Sequence, residues 1–528
     1  MNKKKIQFNF QNIIFRKVYF FYLTALSATV SISQTKPQVV EQNSGKYIKV
    51  NHANRLLFDN TSGIEAQRLI GNVECEHDGA KMFCDSAYLY QSKKLDAYGN
   101  ISIIKGDSIF VYGDSLSYDA NTKLANLKGR VKCVETDMTL TTSILIYDVA
   151  NAIASYYNGG TIVNKENTLV SKNGHYYSTL KELSFHYDVV LTNPDYKMRG
   201  DTLKYHTTSR TAYFIGPSII TSKENYIYCE NGWYDTNKEI ARFSKHAIIE
   251  TKERRLTGDS IYYDRMKGYG QATKNVKITD TTNKSFILGD FAKHYEKINQ
   301  SIATGHAVYG KIIDKDTLFL SADTLFYTKP DSSRSFVKAF RNVRIFKTDL
   351  QGICDSLVYA LRDSLLSLYN SPVLWTNNGQ VTAKQINVKT GKTGLQYFEL
   401  NLNAIVIQKS DSLDENKFNQ IAGKHIEGFF VNDTIRKVNV TNNAEIIYYV
   451  KQKKQYTAVN KTVCANLTVW FNAEGVYKAT FRNKPQSTVF PLNQIIDKDM
   501  RLKNFVWLEN KRLKSKADLF IKTEALIK

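Results

Sequence analysis

Apolar and polar residues alternate along most of this chain, as in Val131-Lys-Cys133-Val-Glu135 and Ile101-Ser-Ile103-Ile-Lys105. Alternation of period two, rich in Val, Ile, Tyr and Thr, predicts half-buried strands. Short polar clusters separate the runs: Asp119-Ala-Asn-Thr-Lys123, Thr207-Thr-Ser-Arg210 and Asp235-Thr-Asn-Lys238. Their residues are those of tight turns.

The alternating runs are copies of one pattern. Its opening half recurs as Cys84-Asp85-Ser86-Ala87, Gly113-Asp114-Ser115-Leu116, Gly200-Asp201-Thr202-Leu203 and Gly258-Asp259-Ser260-Ile261. Ala322-Asp323-Thr324-Leu325 and Cys354-Asp355-Ser356-Leu357 continue it. Its closing half recurs as Leu95-Asp-Ala-Tyr-Gly-Asn-Ile101, Gly270-Gln-Ala-Thr-Lys-Asn-Val276 and Val337-Lys-Ala-Phe-Arg-Asn-Val343. Asp85 and Asp114 lie 29 positions apart, Asp201 and Asp259 twice that, and Asp323 and Asp355 lie 32 apart. A fixed period of this size marks a stacked architecture. One unit holds two or three strands with their turns and has no room for a crossover helix. It cannot bury its apolar face alone, so successive units must share one interior. The expected fold is an all-β, elongated, repetitive stack of short strands.

The repeated Asp invites a catalytic reading. An enzyme needs one asymmetric site, however, and the Asp-Ser pair returns at equivalent positions of at least six units. Asp and Ser at a corner hydrogen-bond backbone groups, so a structural role is expected.

Residues 1–33 have the form of an export signal. Lys3, Lys4, Lys5, Arg16 and Lys17 make a basic start, Val18 to Val30 an apolar run, and Ser31-Ile-Ser33 a small-residue stretch before a cut near Ser33. A membrane span needs about twenty residues, which that run does not reach. The repeats are expected over 34–409, a polar joint at Ser410–Asn419, further repeats over 410–500, and a basic tail over 501–528, whose end carries helix-compatible spacing.

The net charge is +22, and about +17 without the leader, which holds five cations and no acids. Such an excess suggests an acidic partner or a Lys-rich solvated surface, and export argues against nucleic acid. Six cysteines stand at 75, 84, 133, 229, 354 and 464. Cys75 and Cys84 could flank one turn as a disulfide; yet Cys84 and Cys354 occupy a slot held by Gly in other copies, which favours a buried free thiol. Nine scattered histidines form no His-x-His or His-Glu-x-x-His pair, and no Cys-x-x-C or Gly-x-Ser-x-Gly is present. The expectation is a non-enzyme with no cofactor, no metal site and no catalytic residue.

Together these residues resemble a known family. The leader, Leu69-Ile-Gly-Asn-Val73, Cys84-Asp-Ser-Ala-Tyr-Leu-Tyr90, the Gly-Asp-Ser-Leu-x-Tyr-Asp copies, Glu230-Asn-Gly-Trp-Tyr-Asp235 and Leu502-Lys-Asn-Phe-Val-Trp507 resemble the OstA-like branch of the LptA family of lipopolysaccharide-transport proteins, in its Bacteroidetes-type form. The resemblance implies a β-jellyroll of V-shaped, taco-like section. It also implies a periplasmic bridge, associated with the outer membrane, that carries lipopolysaccharide with its lipid A between other OstA/LptA-fold domains at the inner and outer membranes. Lipid-binding positions would be interior apolar residues of the repeats, with no fixed signature, so no single residue is carried over. The chain is longer than the small members of the family. The rival expectation is a repetitive structural or adhesive surface protein whose interior is sealed by its own side chains.

Overall fold

A computed structural model describes residues 47–58 and 65–520, apart from short joints at 107–108, 136–137, 165, 224, 314, 332, 377, 392–393, 411–415, 433, 453–454, 474 and 497–499. The leader expected over 1–33 and the last eight residues lie outside the described residues. The fold is all-β: 34 strands and a few 3-10 turns, with no α-helix among the described residues. The chain divides into two compact units. One takes 47–252 with 260–267, the other 253–259 with the chain from 268 onward.

The first full hairpin, Ala66–His77 with Ala80–Tyr90, displays the repeating device. Leu69 pairs with Ala87 and Ile70 with Ser86, then the register slips and Val73 pairs with Cys84. Two residues, Gly71 and Asn72, therefore face one, Asp85. Both have positive φ, 79° and 47°. Two residues opposite one is a β-bulge, which bends the strand it sits in. Left-handed backbone costs an ordinary residue about 1–2 kcal/mol, and Gly or Asn much less. That explains the repeated Gly-Asn of the closing halves.

The same bend recurs along the chain at Gly99-Asn100, Gly129-Arg130, Lys274-Asn275, Gly305-His306, Arg341-Asn342 and Asn442-Asn443. The repeated Asp is the residue facing it. Asp85 accepts from Asn100 Nδ2 at 2.9 Å, Asp259 from Asn275 at 3.1 Å and Asp323 from Asn342 at 2.9 Å, while Arg130 Nη2 donates to Asp114 at 2.7 Å. The structural role expected for Asp holds, though the corner it fixes is mid-strand. The hairpin turns are made elsewhere, by residues such as Asp119, whose Oδ1 accepts from the backbone of Asn121 at 2.9 Å.

Bent strands turn the apolar residues on either side of the bend toward a common interior. Leu69, Val73, Ala97, Ile101, Leu127 and Val131 are all buried in one cluster. In the second unit Ala339, Val343, Leu400, Ala404, Val440 and Ala444 repeat the arrangement.

Around residue 410 the strands Gly394–Lys409 and Phe418–Val431 pair directly, with Lys409 opposite Phe418 and Ser410 N donating to Lys417 O at 3.0 Å. The helix-compatible end of the tail forms 3-10 turns at Glu509–Lys511 and Lys516–Phe520, and the tail is bound to the sheet. Three buried outward-facing glutamines hold it, Gln420 and Gln380 by its backbone and Gln351 by the Arg512 side chain. Gln420 donates to Met500 O (2.9 Å) and accepts from Leu502 N (2.8 Å). Gln380 donates to Val506 O (2.7 Å) and accepts from Leu508 N (2.8 Å). Gln351 accepts from Arg512 Nε at 2.8 Å, and Arg344 donates to Asp518 O. Under this strap Phe418 packs edge-on to Phe505 and against the tilted ring of Trp507, among Ile405, Ile407, Ile447 and Tyr449. The strap covers a face that alternation alone makes apolar: Ile405 and Ile407 point away from the interior occupied by Ala404.

Candidate functional site in the interior

Each strand contributes one inward side chain to a row running across the sheet. In the first unit Cys75 pairs with Met82, Met82 with Ile103, Ile103 with Val111, Val111 with Cys133 and Cys133 with Leu140. The row continues through Ile162, Leu169, Leu191, Met198 and Ile220 to Ile227 and Ile249. No polar residue interrupts it. Neighbouring strands lie about 4.8 Å apart, so twelve steps carry an apolar line of roughly 58 Å. Opposite it, nearer the bend, runs Leu69, Ala87, Ala97, Leu116, Leu127 and Leu145. The second unit has its own row, from Ile278 and Ile287 through Tyr309, Leu320 and Ile345 to Leu374, Val406, Ile421 and Ile446.

The lining is not uniformly covered. Most of the first row is buried, whereas Ile103, Val111, Cys133 and Leu140 are only half-buried, as are Leu89, Tyr118 and Tyr147 across from them. Inward apolar side chains reach solvent in this stretch.

Where the two arms of the section end, polar and aromatic groups meet. Lys123 Nζ stands 3.8 Å from Asp78 Oδ2, and the His77 and Tyr118 rings are 5.6 Å apart. Burial pushes the Glu135 carboxyl up, with the Lys181 ammonium opposing. In the second unit Tyr309 and Tyr359 meet at 6.3 Å, and Arg254 Nε contacts Asp280 Oδ2 at 3.2 Å. His294, desolvated and facing the Arg254 charge, has its pKa lowered to about 4. The Lys123–Asp78, His77–Tyr118 and Tyr309–Tyr359 contacts join the two arms at the levels where they occur, whereas Arg254 and Asp280 sit at the same end of neighbouring strands.

All six cysteines are free. Cys84 faces Val73 and Cys75 faces Met82, so the two thiols lie on a diagonal and no disulfide joins them. Desolvation raises the Cys75 thiol to about 11 and the Cys84 thiol to about 12. Thiolates are the nucleophilic form, so neither is poised to react. Among the described residues no group of three His, Cys, Asp or Glu is placed to hold a metal ion.

The interior apolar positions had been expected from the repeats without residue numbers, and the register supplies them. The mouth residues Asp78, Lys123, His294 and Arg254 carried no sequence signal. Neither did the three strap glutamines, each a lone amide in an alternating run.

Residues 45–201 match the family of OstA-like proteins. Over that segment the chain is similar to OstA-like proteins. The matched residues contain the half-buried lining from Leu89 to Tyr147. Among solved structures the chain is similar to the crystal structure of LptH, the LptA-homologous periplasmic component of the conserved lipopolysaccharide transport device from Pseudomonas aeruginosa, with 15% identity over 20% of this chain and 81% of that one and a TM-score of 0.19. No curated protein matches the chain.

Proposed function

We propose that this OstA-like chain is a periplasmic lipopolysaccharide carrier that holds acyl chains against the inward apolar row and passes them along it between the inner and outer membranes. The observation that carries the reading is the unbroken row from Cys75 to Ile249, exposed in part between Ile103 and Leu140. Each buried CH₂ of a lipid is worth about 0.8 kcal/mol, so an acyl chain laid along such a row needs no catalytic group to be held. Entry requires the arms to part where Lys123 meets Asp78. Exposed ion pairs of that kind contribute about 0–1 kcal/mol, a small barrier. Basic residues at the mouth, Lys123 and Lys181 among them, would meet the lipid's phosphates. The interior positions stand as its lipid-binding residues, and partner domains of the same fold would extend the row.

Native mass spectrometry of the protein purified from cell envelopes tests binding, and the membrane in which lipopolysaccharide accumulates after depletion tests transport. A lipopolysaccharide-sized adduct and accumulation at the inner membrane support the reading. An empty chain with normal lipopolysaccharide export refutes it. The rival, a sealed structural stack, draws support from the bridged mouth and the largely buried core; it predicts the second outcome.

A further inference from the structure

We propose that the outer face of the sheet between Glu182 and Ser244 is a saccharide-binding site, with a preference for sugars that carry an acidic group. The register sets five outward side chains side by side: Ser184, Lys204, Tyr213, Trp233 and Arg242. A second outward row, nearer the bend, holds His186, Thr202, Ile215, Asn231 and Ser244. Between them lies a pocket of ≈ 520 Å³ lined by Tyr213, Ile215, Trp233, Lys204, Asn231 and Arg242.

The chemistry selects the occupant. Tyr213 and Trp233 are directly opposite each other on adjacent strands, two rings with apolar faces and polar tips. Tyr213 is 42% exposed and Ile215 40%, so the surface is open to a ligand. Hydroxyl, amide and charged groups border it closely: Asn231 and Ser244 on one side, and on the other the ion pair of Lys204 Nζ with Glu182 Oε1 at 3.0 Å. An acyl chain or an apolar protein face would strip water from those groups without replacing their hydrogen bonds, at a cost of about 1–3 kcal/mol each. A pyranose matches the pattern: its C–H face lies on the rings while its rim of hydroxyls meets the polar border. Arg242 adds the preference for acid. Its guanidinium sits 5.7 Å from the centre of the Tyr262 ring, and no carboxylate among the described residues pairs with it. Its charge is thus available to a sugar carboxylate or phosphate, which the guanidinium fork fits well.

This site deepens the lipopolysaccharide reading, because it would take that cargo's sugar portion, yet the two fail separately. The test uses the full chain and two lipid-free probes: the oligosaccharide released from lipopolysaccharide by mild acid, and neutral maltotetraose. Isothermal titration is run with wild type, Tyr213→Ala, Trp233→Ala and Arg242→Gln, after circular dichroism has confirmed the fold of each. The acidic probe should bind, with about a tenfold loss in each ring variant. Arg242→Gln should weaken the acidic probe by about tenfold and leave the neutral one unchanged. If Trp233→Ala misfolds, the exposed Tyr213→Ala and Arg242→Gln decide the matter. No binding of either probe, or binding indifferent to these substitutions, overturns the proposal. Oligosaccharide binding without any interior lipid adduct would refute the acyl-chain reading and leave this one standing.

Discussion

Removing the Gln380 side chain should release the middle of the C-terminal strap. Gln380 is fully buried. Its Oε1 accepts from Leu508 N at 2.8 Å and from Trp375 Nε1 at 3.2 Å, and its Nε2 donates to Val506 O at 2.7 Å. Three hydrogen bonds at about 0.5–1.5 kcal/mol each set a loss of about 1.5–4.5 kcal/mol for Gln380→Ala. The indole N–H and two backbone groups are then left buried without partners, which pushes the cost toward the upper end unless the strap lifts to let water in. Lifting is the cheaper outcome. Hydrogen exchange reads it locally, because amides open with their own free energies in different parts of a fold. The amide of Leu508, whose N–H the Gln380 oxygen accepts, should exchange at least tenfold faster in Gln380→Ala, as about 1.4 kcal/mol or more of lost protection requires. The Leu502 amide, held separately by Gln420, should change less. Unchanged exchange at Leu508 would refute the claim that the glutamine holds the strap.

Other outcomes follow from the same geometry. Gly129→Ala places a β-carbon at φ +74 against the Asp114 carboxylate, so it should cost about 2 kcal/mol or more and loosen the Arg130 pair, read as a lowered melting temperature and faster exchange of the flanking strands. His294 has a folded pKa of about 4 against an ordinary 6.5. The unfolded chain therefore binds the proton first, and stability falls as pH drops from about 6.5 to 4 and levels off below. The loss is about 3 kcal/mol, and a urea series on wild type and His294→Gln should show it only in the former. The thiols at Cys75, Cys84 and Cys229, raised to about 11, 12 and 12, should label slowly with Ellman's reagent at pH 8 until the chain is denatured, when all six react.

Strand content and repeat length were legible because both rest on local patterns. Alternation of period two announces a strand, and the 29-residue spacing of Asp85 and Asp114 matches one pair of strands in the structure. The Asp residues were correctly read as structural. What escaped was the location of the corner. Gly-Asn in Leu95–Ile101 looks like a turn between strands, but the chain passes through it in left-handed conformation and continues as the same strand, because Asp85 and Asn100 lock two strands at the bend. The strap was illegible for another reason. Gln380 and Val506 are 126 residues apart, and an alternating run with an amide at one outward position reads the same whether solvent or backbone meets it. Excess apolar character at outward positions, as at Ile405 and Ile407, was the available hint. The interior lining was predictable in kind but not by number, since only the register tells which member of each alternating pair faces in.

If the chain carries lipid as proposed, inward side chains between Ile103 and Leu140 touch acyl chains and their outward neighbours do not. A photo-reactive amino acid placed in turn at Ile103, Val111 and Leu140, and at their outward neighbours Ser102, Tyr112 and Thr141, tests it in living cells. Lipopolysaccharide adducts are expected at the first three and none at the second three, a period of two along each strand. Adducts at neither set, or equally at both, would contradict it.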